Sequence, residues 1–302
     1  MLNKIKKVIN QPDLVIGRMN MHGWFNWMND KSYLKFMFKV KLGYKLDLEN
    51  PQTFNEKMQW LKLNNIHPEY SKLVDKYEVR EYIKNKLGEE YLIPLIGVWE
   101  SPEEIDFSKL PMQFVLKCTH NSGGVIVCKD KTKFDEKAAI KKLKRLLKKD
   151  YYMLGREYPY KSVKPRIVCE KYMDDGSGGL PADYKIICFN GTPQNIMVCN
   201  NRRSGHADYY FFDRDWKFLP YNKVDINRSK DFTLPKPKCI DEMWNIAEKL
   251  AEPYIISRID LYEINGKVYF GEITFFPSSG MDTDITKEID ILWGKSVNIT
   301  AR

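Results

Sequence analysis

Ser257-Arg258-Ile259-Asp260-Leu261-Tyr262-Glu263-Ile264-Asn265-Gly266-Lys267-Val268-Tyr269-Phe270-Gly271-Glu272-Ile273-Thr274 reads as two strands folded back at Asn265-Gly266, a dipeptide strongly favoured in hairpin turns. Side chains alternate across a strand, so Arg258 and Asp260 share one face while Ile255, Ile259 and Leu261 fill the other. A two-residue turn at Asn265-Gly266 would set Asp260 opposite Gly271 and send Glu272 to the wrong surface. A three-residue loop, Ile264 to Gly266 with Gly266 left-handed, restores the match and is the expectation. Arg258, Asp260, Glu272 and Thr274 then line one surface, with two hard oxygen ligands for Mg²⁺ beside a fixed cation. A cross-strand salt bridge from Arg258 to the carboxylates is the plain alternative. Two carboxylates against one arginine leave surplus negative charge, which favours the metal.

Three upstream segments carry further polar chemistry. In Phe114-Val115-Leu116-Lys117-Cys118-Thr119-His120-Asn121-Ser122-Gly123-Gly124-Val125, a lysine ends a buried strand and a glycine loop follows. Such a loop brings backbone N–H groups close to phosphate oxygens while the lysine adds a point charge; read alone, a plain hairpin turn is the favoured account. Ile167-Val168-Cys169-Glu170-Lys171-Tyr172-Met173 leaves an apolar strand for a glycine-rich turn that begins at Asp174. Where pairing stops, free backbone groups can meet the edge of an adenine; by itself the segment is a strand end. In Asp183-Tyr184-Lys185-Ile186-Ile187-Cys188-Phe189, Lys185 lies on the face of Asp183, and in isolation it reads as a surface lysine.

Around these segments the chain changes texture once. Up to about Asn65 the pattern is helical, with a capping box at Thr53 and Glu56 ahead of Phe54, Met58 and Leu61. A second helix is expected from about Ser71 to Leu87, stopped by Gly88. Beyond Gly88, β-branched and aromatic runs bounded by Gly, Pro and Asn predict strands near 114–117, 125–128, 166–170, 184–189, 194–199, 209–212, 255–263 and 268–274. Helices are expected at about 135–149, 240–252 and 284–293. Hairpins followed by helices argue for an α+β fold with largely antiparallel sheets. At 302 residues the chain is long enough to divide. The expected parts are a helical N-terminal region (1–72), a lid-bearing subdomain (73–172) and a C-terminal subdomain with the metal site (173–302).

A 43% apolar and 13% aromatic chain is globular. Its net charge of +9 points to anionic partners without choosing among them. The basic run Lys137–Lys149 carries Ile140, Leu143, Leu146 and Leu147 at helical spacing, so its lysines read as a solvated face. Six cysteines without a C-x-x-C pair are expected as buried free thiols. The four histidines, at 22, 67, 120 and 206, have no zinc spacing. No run approaches the roughly 20 apolar residues of a membrane span, and no signal-peptide pattern opens the sequence, so a cytoplasmic location is expected. Met1 to Ile16, with Lys4, Lys6 and Lys7 among apolar residues, leaves a peripheral membrane contact open, although its narrow apolar face favours a capping helix.

The ordered set of strand lysine and glycine loop, strand Glu170 and hinge, Asp183-x-Lys185, Arg258-x-Asp260, and Glu272-Ile273-Thr274-Phe275-Phe276-Pro277-Ser278-Ser279-Gly280 resembles the ATP-grasp superfamily. Within it the chain is most similar to the TupA-like family, named for teichuronopeptide biosynthesis. The likeness extends from about residue 45 almost to the C-terminus and includes Asn50-Pro51-Gln52-Thr53-Phe54-Asn55-Glu56-Lys57 and Asp75-Lys76-Tyr77.

The resemblance implies two α+β subdomains gripping ATP. Lys117 and Lys185 would neutralise phosphates, with Asp183 beside them; Ser122, Gly123 and Gly124 would form the lid loop; Glu170, Lys171, Tyr172 and Met173 would hold adenine. Asp260, Glu272 and, directly or through water, Thr274 would bind Mg²⁺, where many relatives carry asparagine in place of Thr274. Arg258 would stabilise the transferring phosphoryl group. The implied reaction is carboxylate–amine ligation through an acyl phosphate, joining an amine or amino acid to a sugar carboxylate such as a uronic acid in surface polysaccharide synthesis. His120, Arg202, Arg203, Ser278, Ser279 and Gly280 are substrate-side candidates, with His206 in the same loop as the arginines.

Three other readings compete. Asp213-Arg214-Asp215 and Asp282-Thr283-Asp284 both read D-x-D, the spacing of a glycosyltransferase metal site; the first also fits a hairpin turn and the second a helix cap. A non-catalytic module for acidic polymers would use the charge and the seven tryptophans. An ATP-grasp kinase would release ADP without an amide. Nucleic acid is not an expected partner.

Overall fold

The computed structural model describes residues 12–174, 176, 181–200 and 207–300. Helices come first: α1 (Pro12–Met21), α2 (Asp30–Leu42), α3 (Phe54–Asn64), α4 (Tyr70–Val74) and α5 (Val79–Lys86). Next come β1 (Leu95–Trp99), β2 (Phe114–Cys118), β3 (Ile126–Cys128), α6 (Glu136–Leu147), α7 (Tyr152–Gly155) and β4 (Ile167–Lys171). The remainder holds β5 (Asp183–Phe189), β6 (Thr192–Asn200), β7 (Asp208–Phe212), β8 (Phe218–Leu219), α8 (Ile240–Ala251), β9 (Ile256–Ile264), β10 (Lys267–Thr274) and α9 (Lys287–Ser296).

The strands form a four-stranded sheet in the order β1-β4-β2-β3 and a six-stranded sheet in the order β10-β9-β5-β6-β7-β8. All pairings between the named strands are antiparallel, as the α+β reading expects. Two strands were not expected. β1 is a short edge strand with a register shift between Leu95 and Gly97, and β8 is two residues long.

Apolar periodicity decides which face each element buries. On α8, Ile240, Met243, Trp244, Ala247 and Leu250 face the large sheet and meet the inward side of β9, where Ile259 and Leu261 are fully buried. α3 closes the same core from the other direction, with Phe54 ring-to-ring against Phe189 at 5.3 Å and Trp293 at 5.2 Å. Its expected capping box is present: Thr53 accepts from the Glu56 N–H, and the Glu56 carboxylate accepts from the Thr53 N–H at 3.0 Å. The small sheet has its own core, in which Leu143 and Leu146 of α6 pack on Phe114, Leu116, Ile167 and Cys169. Truncating a fully buried leucine such as Leu143 to alanine costs about 2–5 kcal/mol. A third cluster, Tyr33, Leu34, Met37 and Phe38, lies under the α1–α2 hairpin. Five cysteines are buried, Cys239 is half-buried, and all six are free.

Three expectations need correction. The single helix expected over 71–87 breaks at Asp75, whose backbone turns extended (φ −72°, ψ 116°) while its carboxylate accepts from the N–H groups of Tyr77 and Glu78 at 2.8 and 3.3 Å. A short polar side chain that satisfies downstream N–H groups starts a new helix in place of continuing the old one. The last helix is capped by Thr286, which accepts from the Ile289 N–H, and not by Asp284; Asp282 instead accepts from the Asp284 N–H at 2.8 Å and closes the turn before it.

The third correction concerns the hairpin. Asn265 and Gly266 form a two-residue turn, both left-handed (φ 53° and 71°), and Ile264 pairs with Lys267. Glu272 nevertheless stands opposite Asp260, because Gly271 is an extra residue: the register shifts between Phe270 and Glu272. A bulge with two residues facing one flips the side-chain phase, which the three-residue loop was invoked to do. Gly271 suits this place because a Cβ there would sit 2.9 Å from the Asp260 carbonyl oxygen and 3.0 Å from the Tyr262 ring.

Candidate active site

The polar face of β9 and β10 looks into a cleft of about 1010 Å³ lined by both sheets, by α5 and by the loop after β2. Arg258 is its hub. Its Nε donates to Asp260 Oδ1 at 2.6 Å, and its Nη2 donates to Asp260 Oδ2 at 2.7 Å, Glu272 Oε1 at 3.0 Å and Thr274 Oγ1 at 3.2 Å. The Thr274 hydroxyl donates to Glu272 Oε1 at 3.1 Å. From the neighbouring strand β5, Lys185 reaches Asp260 and pairs with Asp183 at 2.6 Å. Strand register makes this inevitable once β5 and β9 pair, since Lys185 lies opposite Asp260.

The opposite wall comes from the small sheet. Lys117 donates to Glu170 Oε2 at 2.6 Å, and Arg80 approaches the same carboxylate at 3.5 Å while donating to the Ile93 carbonyl at 2.9 Å. Ser122 and Gly123 line the cleft above them. Gly123 and Gly124 are both left-handed (φ 77° and 75°), and Gly124 packs against Leu146.

Lys76 was not assigned a role from sequence, yet it lines the cleft and donates to the Asn121 carbonyl of the glycine loop at 2.5 Å. The break at Asp75 is what aims it there. The readable signal was a cap-type residue in the middle of a helical pattern, with Lys76 and Arg80 four apart behind it.

The electrostatics follow from this crowding. Burial works against the charge of Glu272, but Lys76, Arg258 and Lys185 outweigh it and hold the carboxyl at about 2. Burial also opposes the charges of Arg258 and Lys185, and the Asp260 carboxylate reverses both, raising them above their ordinary values. Lys76 is pushed down, chiefly by burial. Around the hairpin, the cations Lys76, Arg80, Lys117, Lys185 and Arg258 outnumber the carboxylates Glu170, Asp183, Asp260 and Glu272. The surplus negative charge expected from Arg258 and its two carboxylates is offset locally by Lys76 and Lys185, while over the whole lining, with Asp208 included, seven Lys and Arg stand against eight Asp and Glu. Around the segments 222–228 and 282–284 the balance reverses, with Asp225, Asp282 and Asp284 against Lys223 and Arg228.

The oxygen donors of Asp260, Glu272 and Thr274 converge and suit a hard divalent cation. Among the described residues no cluster of three or more His, Cys, Asp or Glu forms a self-sufficient metal site. The donor set fits an ion that brings the rest of its ligands with it, as Mg²⁺ does on a nucleotide.

The remaining candidates divide. Ser278 lines the cleft, its hydroxyl 3.3 Å from Asp282 Oδ2. Ser279 and Gly280 turn towards α3: the Ser279 carbonyl accepts from Lys62 at 2.7 Å and the Gly280 carbonyl from Gln59 at 2.5 Å. His120 is buried, with Nε2 3.2 Å from the Lys149 carbonyl and its pKa lowered by burial, so its ring serves the lid and not the cleft. Of the four expected adenine contacts, Glu170 lines the cleft, Lys171 is exposed, and Tyr172 is buried. The strand, expected to end near Glu170, continues to Lys171, whose N–H is bonded to the Pro94 carbonyl at 2.9 Å. Met173 is half-buried. Arg202, Arg203 and His206 lie outside the described residues. Asp213 accepts from the Lys217 N–H at 2.8 Å, a turn as expected, while Asp282 and Asp284 line the cleft.

The family described as TupA-like ATPgrasp matches residues 56–298. No curated protein matches the chain. Among solved structures, the chain is similar to an L-amino acid ligase from Bacillus licheniformis, with 12% identity and a TM-score of 0.47 over 84% of this chain and 57% of that one. It is also similar to a D-alanine–D-alanine ligase from Bacillus anthracis complexed with ATP, with 15% identity and a TM-score of 0.44 over 79% of this chain and 68% of that one. No described helix is long and apolar enough to cross a membrane.

Proposed function

The chain belongs to the TupA-like ATP-grasp family, and from that premise we propose that it is an ATP-dependent carboxylate–amine ligase. The observation that carries the reading is the convergence of Lys76, Lys117, Lys185 and Arg258 on one cleft with Asp260 and Glu272. Four cations with at most half-exposed side chains suit the oxygens of a triphosphate better than any single anion. Val79, Leu92 and Met197 supply an apolar wall beside Glu170 for the base. Asp260, Glu272 and Thr274 would hold Mg²⁺, which when bound neutralises phosphate oxygens and makes the γ-phosphorus a better electrophile.

The residues then divide the work. Arg258, already fixed by three acceptors, stays in place as charge builds on the equatorial oxygens, so little reorganisation is needed in the transition state. Lys185 and Lys117 follow the charge onto the leaving ADP. A carboxylate oxygen of the substrate attacks the γ-phosphorus and the bond to the β,γ-bridging oxygen breaks, giving an acyl phosphate. An amine attacks the acyl carbon, the carbon–oxygen bond to phosphate breaks, and the amine loses a proton. The glycine loop, tied to Lys76 through the Asn121 carbonyl, excludes water from the acyl phosphate.

The acidic end of the cleft, with Asp282 and Asp284, suits the amine, which arrives as a cation, gives one proton to a carboxylate there and attacks as the neutral amine. We assign the carboxylate to a sugar acid of a surface polysaccharide and the reaction to the cytoplasm, where ATP is available. Glycosyl transfer through Asp282-x-Asp284 loses ground because both carboxylates serve the turn before α9 and neighbour a polyanion site. The test is ATP-dependent ADP release against uronic acids crossed with amino acids and amines, with hydroxylamine as a trap for the acyl phosphate. Hydroxamate formation with one class of carboxylate is the expected result. ADP release that never yields amide or hydroxamate would make the protein a kinase, and no turnover with any pair would refute the ligase.

A further inference from the structure

The chain's charge is unevenly placed: its first 46 residues hold nine Lys and Arg against two Asp, so seven of the nine net positive charges sit there. The described part of this region is the α1–α2 hairpin, and its outward surface is unusual. Leu14, Arg18 and Met21, spaced one helical face apart, are all exposed on α1. The turn that follows holds Trp24 and Trp27 out at 63% and 82% exposure, while Phe25 and Met28 between and beside them pack into the hairpin core. On α2 the outward positions Lys31, Lys35 and Lys39 repeat every fourth residue, opposite the buried Tyr33, Leu34, Met37 and Phe38.

These indoles are presented by a fixed support. Arg156 donates to the Phe25 carbonyl at 3.1 Å and lies 4.6 Å over the Tyr33 ring. The Leu154 carbonyl accepts from Asn20 at 3.1 Å and from the Tyr33 hydroxyl at 2.7 Å. Exposed tryptophans on a fixed turn, followed by a helix whose outward positions are lysines, match one surface in particular: a bilayer interface with anionic headgroups, where the indole sits at headgroup level and the lysines meet phosphate. A second copy of the chain fits poorly, because two such faces would bring the cations Arg18, Lys31, Lys35 and Lys39 against their own counterparts.

We propose that the α1–α2 hairpin docks the enzyme on anionic phospholipid through Trp24 and Trp27 with Arg18, Lys31, Lys35 and Lys39. The inference is independent of the ligase reading and is tested without turnover. The full chain is sedimented with vesicles of phosphatidylcholine containing about 30 mol % phosphatidylglycerol and with phosphatidylcholine alone, at low and high salt. Partition onto the anionic vesicles is expected, weakened by salt. Trp24→Ala with Trp27→Ala should weaken it roughly tenfold or more, and Lys31→Glu with Lys35→Glu at least as much. Lipids brominated in the acyl chain should quench the tryptophan emission of the wild type and not that of the double Trp variant. All four positions are exposed, so the variants keep the hairpin core. Failure to pellet with anionic vesicles, or binding that the Trp pair does not affect, overturns the proposal. A lipid-free dimer abolished by the same pair would assign the face to a second copy, and preferential retention of an RNA duplex insensitive to the Trp pair would assign it to nucleic acid; either overturns it too.

Discussion

Two clusters that each set cationic against acidic side chains lie near each other and differ in how far burial decides their charge. Arg258, Lys185, Asp260 and Glu272 face the cleft; opposite charges win over burial at three of them, with the Glu272 carboxyl held at about 2 and its side chain 35% exposed, while burial still raises Asp260, the most enclosed of the four. Lys62, Glu157 and Ser279 are closed off. There burial wins, bringing the Lys62 ammonium down to about 8 and pushing the Glu157 carboxyl up. Lys62 spends its donors on backbone, the Gly155 and Ser279 carbonyls, both at 2.7 Å. It thereby holds a left-handed run, Ser278, Ser279 and Gly280 (φ 50°, 54° and 62°), that leads from the cleft strand β10 towards α9. Residue type alone does not separate a chemical site from a clamp; access to a ligand does. Strain of this kind persists only where surrounding contacts over-determine it.

The comparison breaks first at the open cluster. Asp260→Asn should cut ATP turnover by about 10³-fold or more while leaving the circular-dichroism spectrum intact; retention of more than about a tenth of the wild-type rate would remove the cluster from the chemistry. In the closed cluster the loss should fall on stability. Lys62→Met orphans the buried Gly155 and Ser279 carbonyls and removes the nearby charge that favours the Glu157 carboxylate, and should destabilise by about 1–3 kcal/mol in urea unfolding, with Lys62→Met/Glu157→Leu less destabilised than the single variant. Equal additive losses would mean that the two side chains do not act as a pair.

Gly271→Val sharpens the comparison, because it tests whether the bulge sets the polar face. The added atoms meet the Asp260 backbone, so a loss of about 1–3 kcal/mol is expected together with most of the ATP affinity. A stable variant with normal affinity would show that the register tolerates the side chain.

The smallest effect is in pH. A carboxyl depressed in the folded state contributes stability above its unfolded value, and this is lost as pH falls through the folded value. For Glu272 the window runs from about 4.3 down to about 2. Glu272→Gln should flatten the acid limb of stability there, and an unchanged limb would separate Glu272 from its cations.

How much of this could be read in advance follows from how local each feature is. The polar face of β9 came from two-residue alternation alone, and the capping box of α3 from a four-residue pattern. The hairpin turn was misread because the bulge sits at Gly271, away from the turn. A glycine in a strand is itself the available sign of one. Lys76 was hidden by a helical pattern that Asp75 interrupts. The extra strand residue Lys171 was not legible because the acceptor of its N–H, Pro94, lies 77 positions earlier in sequence. The clamp joins positions 62, 155 and 279, and no periodicity links them. The cleft wall at 222–228 has no regular strand or long helix, hence no pattern to detect.

The central claim is that the open cluster is a nucleotide site, and calorimetric titration of ATP with Mg²⁺ tests it without knowledge of the acceptor. The account predicts saturable binding to the wild type, weakened about tenfold or more in Lys117→Met and in Lys185→Met, each of which removes a charge-assisted phosphate contact. No binding to the wild type, or undiminished affinity in both variants, would contradict it.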